Sequence, residues 1–309
     1  MEILRDFKNI FKFKKSVVTI GVFDGVHKGH QEIIKTCVKI ARENQAKSIV
    51  LTFEPHPLEI LKPGSHPPIL TDTPLKAELI EELGVDYLLI LEFNKNLANL
   101  SPGKFVNEII LKTLKTSALV IGEDFRFGKG AKGDANFLLN SGEKLGFTTI
   151  VVPSLKLNGE LVSSSNIRHY IKAGQIEKVR KLLGHWPRIT GVVIKGTGIA
   201  RAKLGISTAN IKTPDKASVP QTGVYAGFFW LETDKKPCVI HIGKSPTFDI
   251  PTTRVEAHIL KFSADLYGKQ IELEIRGKIR DIEKFEDEKA LAHQINKDIK
   301  ETKKILKVI

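Results

Sequence analysis

Methionine occurs once in the 309-residue sequence, as Met1, and cysteine and tryptophan twice each. The two cysteines, Cys37 and Cys238, stand far apart in the chain, and Cys37 falls on the apolar face of a predicted helix. Buried thiols are therefore expected, in place of a disulfide or a cysteine-based metal site. Long hydrophobic runs are missing as well. Stretches such as "YLLIL" (87–91) and "SALVIG" (117–122) are far too short to span a bilayer. The opening "MEILRDFKNIFKFKK" has neither the apolar core nor the cleavage site of a signal peptide, so a cytoplasmic protein with no membrane partner is expected. Internal repeats and low-complexity segments are absent too.

What is present is an ordinary globular composition, 41% hydrophobic and 27% charged, over a length that exceeds one typical domain. The net charge of +13 raises the question of an anionic partner. It is spread evenly: 26 basic against 20 acidic residues in 1–185 give +6, and 22 against 15 in 186–309 give +7. The densest patch, "KFKK" (12–15), is short, and no lysine run is interleaved with stacking aromatics. Small phosphorylated molecules suit this charge better than nucleic acid.

From residue 16 to about 152, short β-rich runs ("VVTI", "SIVLTF", "YLLIL", "ALVIG", "TTIVVP") alternate with helical patterns. This predicts an α/β unit with a parallel sheet. "NIRHYIKAGQIEKVRKLLG" (166–184) predicts two short helices meeting at Gly174, and "HWPRITG" follows as a junction. The domain boundary is placed there, giving domains 1–185 and 186–309. Beyond it, period-two runs separated by turn residues predict a compact antiparallel β-barrel. A closing helix is expected over 285–306, with acids early, lysines late and Leu291, Ile295 and Ile299 as its apolar stripe.

Two stretches carry candidate chemistry. "GVFDGVHKGH" (21–30) lies between a predicted strand and a predicted helix, where free N–H groups and the helix dipole favour an anion. His27 and His30, at i and i+3, point to one side of that first turn, and Gly29 lets a phosphate approach closely. An isolated H-x-G-H is also compatible with an ordinary solvated turn. In "GVVIKGTGIARAKLGISTANI" (191–211), Gly196 and Gly198 permit a tight loop and Arg201 and Lys203 add charge, a weak phosphate-loop signal. Thr208 and Asn210, two apart on a strand, can offer a hydroxyl and a carbonyl oxygen to Mg²⁺ beside ATP phosphates, or can simply be an exposed polar pair.

The strings "GVFDGVHKGH", "FEPHP" (53–57), "GEDFRFGKGAKGD" (122–134) and "SSSNIR" (163–168) resemble, in content and order, the bacterial bifunctional riboflavin kinase/FAD synthetase family. Class I aminoacyl-tRNA synthetases share an H-x-G-H but pair it with a K-M-S-K-S loop, which a chain with one methionine at its start cannot contain. The resemblance implies a Rossmann-like nucleotidyltransferase domain in which His27 and His30 are catalytic, contacting ATP phosphates during adenylyl transfer. It implies that Gly21, Phe23, Asp24 and Gly29 line the nucleotide, that Ser164, Ser165 and Arg168 complete the phosphate clamp, and that Asp124 contacts flavin or nucleotide. Phe125 and Arg126 are flavin-binding candidates, although the Phe125–Phe127 segment can equally pack as a loop onto the sheet. His56 in "EPHP" is held extended by proline on both sides, and a structural role suffices for it.

The second half resembles the riboflavin kinase signature, with "HIGKSPTF", "VEAHILKF", "DLYGKQI" and "GKIRDIEKF" in the family's order. It implies a nucleotide loop with Gly196, Gly198 and Lys203, Mg²⁺ held by Thr208 and Asn210, Glu256 as general base for the riboflavin 5′-hydroxyl, and Arg280 near the flavin. Glu256 and His258 can otherwise be the wet face of an alternating strand. The implied reactions are riboflavin to FMN and FMN to FAD, each using ATP and Mg²⁺ and yielding ADP and pyrophosphate respectively. Ser207 stands where the family usually has proline. A working kinase with weaker Mg·ATP binding is expected, the alternative being a chain active only as FAD synthetase.

Overall fold

The computed structural model describes residues 1–7, 14–195, 208–244 and 253–308. Contacts divide the chain into two compact units, Met1–Pro67 with Thr71–Ser163, and Pro68–Leu70 with Ser164–Ile309.

In the first unit, β1 (Glu2–Leu4), β2 (Ser16–Ile20), β3 (Lys47–Glu54), β4 (Tyr87–Glu92), β5 (Thr116–Gly122) and β6 (Thr148–Val152) form one sheet in the order β1-β4-β3-β2-β5-β6. Every pairing is parallel. The five strands β2 to β6 answer the five runs read from the sequence, and β1 adds an edge. Strand β2 is buried along its whole length, as a central strand covered on both faces must be. Val18 and Ile20 face a core with Leu51, Ile110 and Leu119, whereas Val17 faces Cys37, Ala41 and Val120. Helices α1 (Lys28–Glu43), α2 (Pro57–Leu61) and α3 (Thr73–Glu81) join the first strands. Short helices α4 (Lys95–Ala98) and α5 (Pro102–Lys104) lead into a π-helix over Phe105–Thr113, α6 (Ala135–Leu145) precedes β6, and a small antiparallel pair, β7 (Lys156–Leu157) and β8 (Glu160–Leu161), follows it. β2 connects onward to β3 on one side while β5 lies on its other side, so the C-terminal ends of β2 and β5 flank the point where strand order reverses. Ligands collect at that crevice in open α/β sheets.

In the second unit, α7 (Ser164–Lys172) and α8 (Ile176–Leu183) precede a closed barrel. Its strands run β10 (Ala209–Lys212), β13 (Thr253–Ile259), β12 (Asp234–Lys244), β11 (Gly223–Leu231), β14 (Gln270–Arg280) and β9 (Arg188–Ile194), all antiparallel. Gly174, at φ +69°, makes the α7–α8 corner as the sequence predicts. Tyr225, Phe229, Ile240, Val255, Leu273 and Ile275 fill the interior. Cys37 and Cys238 are free and buried, and burial pushes the Cys37 thiol up to about 12. The closing helix spans Glu288–Leu306, with Asp287 capping it by accepting a bond from Ala290 N. Its buried residues are Asp298 and Thr302, and the expected apolar stripe is only half-buried, with Ile299 reaching the satellite core of Val224, Val239 and Leu260.

Gly227 sits where β11 crosses β14, and a Cβ there would press on the Glu274 carbonyl oxygen and lie 2.6 Å from Ile240 Cδ1. Gly227→Ala should therefore destabilise the protein by about 1–3 kcal/mol, the usual cost of overpacking. A urea titration should show a lower midpoint, and an unchanged midpoint would mean that the barrel yields at this crossing.

Candidate active sites

At the end of β2 the chain turns through residues 21–27 into α1. The turn is tightly wound. Phe23 (φ +49°) and Val26 (φ +38°) occupy the left-handed region although neither is glycine, a conformation costing on the order of 1 kcal/mol or more that persists only when its surroundings enforce it. Those surroundings are visible. Asp24, 3% exposed, accepts a bond from Thr71 N (3.1 Å), and Gly25 N donates to Thr71 Oγ1 (2.9 Å). Val22 O accepts from Thr52 Oγ1 (3.1 Å) and from Lys76 Nζ (2.9 Å). Gly21 is required by the Phe23 ring, which a Cβ would meet at 2.9 Å.

His27 is the N-cap of α1, its Nδ1 accepting from His30 N at 3.2 Å. That bond leaves the neutral ring with its proton on Nε2, as a donor. The His27 and His30 rings stack with centroids 3.5 Å apart, and Phe23 meets His30 edge-on at 5.3 Å. Gly29 permits this stack, since a Cβ there would lie 3.3 Å from the His27 ring. His30 Nδ1 is buried with no hydrogen-bond partner among the described residues. Burial holds the His30 imidazole well below its ordinary pKa, and the charges of His27 and Lys76 push the same way. The structure thus brings Gly21, Phe23, Asp24, His27, Gly29 and His30 into one turn. Phe23 and Asp24 are buried supports of it.

The loop after β5 is the neighbouring element. Asp124 is exposed, with its carboxylate 3.1 Å from where a Gly122 Cβ would lie. Phe125 is half-buried against the core and stacks on Phe127 (5.6 Å), which is itself 8% exposed. Arg126 is exposed and donates to the Phe125 carbonyl (2.9 Å). His56 caps α2, its Nδ1 accepting from Leu58 N at 3.1 Å. Ser164, Ser165 and Arg168 open α7 in the second unit, where Arg168 Nε donates to the Pro68 carbonyl (2.6 Å).

Gly196, Gly198, Arg201, Lys203 and Ser207 lie outside the described residues. Thr208 and Asn210 are half-buried, and Asn210 pairs in register with Glu256, which pairs with His241 on the next strand. Register continues through Val224 to Arg280. Interior neighbours such as Ile211, Val255, Ala257, Ile240 and Tyr225 alternate with this row, so it lies on the outer face of the barrel. There Arg280 makes a bidentate pair with buried Asp298 of the closing helix, Nε to Oδ1 at 2.9 Å and Nη2 to Oδ2 at 2.8 Å. Gln294 Nε2 supports the same carboxylate at 2.9 Å. The Asp298 hydrogen bond raises the Arg280 pKa, and burial lowers that of His241 while Glu256 opposes the change. The guanidinium of Arg280 is thus a strut between barrel and helix. Thr208 and Asn210 offer oxygen ligands only, a hydroxyl and a carbonyl, a pair that fits Mg²⁺.

Sequence reasoning missed Thr71, Lys76, His241 and Asp298. No motif marks them, because each meets its site through strand register or a packed helix.

The lowered pKa of His30 has a sign. The folded state resists protonating this ring, so below the ordinary histidine pKa near ~6.5 the unfolded chain takes up more protons and stability falls. His30→Asn should flatten the stability profile between pH 7 and 5 relative to wild type, as followed by denaturant unfolding. Identical profiles would show that the ring titrates normally in the fold.

Both halves match known families: the FAD synthetase family model over residues 10–166 and the riboflavin kinase model over 183–306. A bifunctional riboflavin kinase/FMN adenylyltransferase of Buchnera aphidicola subsp. Schizaphis graminum is 35% identical, covering 100% of both chains. That of Escherichia coli is 33% identical over 96% of each chain, and that of Bacillus subtilis 36% identical over 93% of this chain and 91% of its own. A crystal structure of a macrolide-efflux protein from Streptococcus pneumoniae superposes with a TM-score of 0.86 at 30% identity, covering 97% of this chain and 98% of that one. Among the described residues here, no helix is long and apolar enough to cross a membrane. Matched in both halves and along its full length by such relatives, the chain belongs to the bifunctional riboflavin kinase/FMN adenylyltransferase family.

Proposed function

We propose that the barrel phosphorylates riboflavin to FMN and that the parallel-sheet unit adenylylates FMN to FAD, each step using ATP, the second releasing pyrophosphate. One observation carries this reading, the pair of family matches that divides the chain between the two activities. The functional domains are taken as 1–185 and 186–309, and both reactions as cytoplasmic. The reading in which only the adenylyltransferase works is not favoured, since both families are matched and the relatives carry both names.

For adenylyl transfer, an FMN phosphate oxygen attacks the α-phosphorus of ATP and pyrophosphate leaves. No protein nucleophile is needed, and catalysis rests on positioning and on stabilising phosphate charge. The Nε2 proton of His27, the unpartnered nitrogen of His30 and the N-terminus of α1 supply that stabilisation, with close approach allowed at Gly29. Asp124, Phe125 and Arg126 serve the flavin side.

For the kinase, Glu256 accepts the proton of the riboflavin 5′-hydroxyl as that oxygen attacks the γ-phosphorus. Thr208 and Asn210 hold Mg²⁺, which when bound neutralises phosphate charge. Gly196, Gly198 and Lys203 are assigned to binding the nucleotide. Arg280, tied to the closing helix through Asp298, reaches the flavin only from that fixed position.

Substitutions should separate the two activities in a chromatographic time course with riboflavin, ATP and Mg²⁺. His30→Ala should slow FMN adenylylation by roughly 10²–10³-fold and let FMN accumulate. Glu256→Gln should slow riboflavin phosphorylation by about 10²–10⁴-fold and leave the conversion of added FMN to FAD intact. Parallel loss of both activities in either variant would overturn the division of labour.

A further inference from the structure

Lys76 is a lysine at 7% exposure on α3, and no step described above uses it. Lysine is rarely buried so deeply, because its charge loses hydration. Its Nζ donates to the Val22 carbonyl at 2.9 Å, one residue before Phe23 and within the turn that ends at His27. The same carbonyl accepts from Thr52 Oγ1 at 3.1 Å, and the far side of the turn is fixed by Thr71 through Asp24 and Gly25. The two left-handed residues, Phe23 and Val26, fall between these anchors. Asp24, Glu54 and Asp72 face the ammonium and oppose the lowering of its pKa by burial. Glu54 is in turn held by Thr73 and, at 2.7 Å, by Arg5.

We propose that Lys76 is a positioning residue for adenylyl transfer, its ammonium pinning the Val22 carbonyl so that the strained turn aims His27 and His30 at the nucleotide phosphates. The inference rests on the assignment of that turn as the adenylyl-transfer site. An apolar side chain of similar length would fill the same space at less cost in desolvation, so packing alone does not account for a charge here. A fixed positive charge beside the turn also favours the triphosphate and the departing pyrophosphate. The groups facing His30 are His27 and Lys76, so removing the Lys76 charge removes one influence that holds the His30 pKa down.

The test is Lys76→Met in the full-length chain, with Lys76→Arg as the conservative companion. In Lys76→Met, the kcat for FMN adenylylation should fall about ten- to a hundredfold, as for a misplaced catalytic group. The acid limb of its pH profile should move to higher pH, with riboflavin phosphorylation unchanged in the same preparation. Lys76→Arg should restore the position of the limb. If Lys76→Met does not fold, Lys76→Gln, which keeps a donor and drops the charge, should show the same displaced limb. Unchanged adenylylation, or a loss of rate with an unmoved acid limb, would overturn the positioning role. Full adenylylation by His30→Ala would instead remove the site assignment itself.

Discussion

The first unit depends on how a fully buried strand is allowed to end. Strand β2 has no wet face, and the chain must leave it and enter α1 within the residues numbered 21 to 27. The turn does so by placing Phe23 and Val26 in the left-handed region and by burying Asp24 as an acceptor for Thr71 N. Such a backbone is stable only because neighbours over-determine it. Its consequence is chemical. His27 spends one nitrogen on capping α1, while the stacked His30 keeps a buried nitrogen with no hydrogen-bond partner among the described residues. The strain of the turn and the arrangement of the two imidazoles thus have one cause.

The barrel solves a different problem. Its interior is filled by side chains, and the row of Asn210, Glu256 and His241 lies on the outside of strands β10, β13 and β12. The closing helix packs on β11, β12 and β14, and the Arg280–Asp298 pair fixes it to β14 by two bonds from guanidinium to carboxylate. That explains why the deepest residues of this helix are Asp298 and Thr302, and why its apolar stripe is only half-buried.

Much of this was legible in the amino-acid order. Strand runs and helical periods reveal a parallel sheet followed by a barrel, because parallel strands covered on both faces are continuously apolar and barrel strands alternate. Local spacing likewise marks His27, Gly29 and His30, which lie within one helical turn. Lys76, Thr71, His241 and Asp298 were not legible. Each is brought to its site from a distant segment, by the docking of α3, by strand register or by the packing of the closing helix, and no local pattern records such a meeting.

By itself, then, the sequence determined the two-part architecture and the strand-to-helix turn with its histidines, since each follows from periodicity or near-neighbour spacing. Only the tertiary structure decided that Asp24 is a buried support, that Arg280 is committed to Asp298 and that a buried ammonium grips the carbonyl of Val22. The physical reason is that a side chain's hydrogen-bonding capacity is finite. What remains for a substrate is known only after the fold has taken its share.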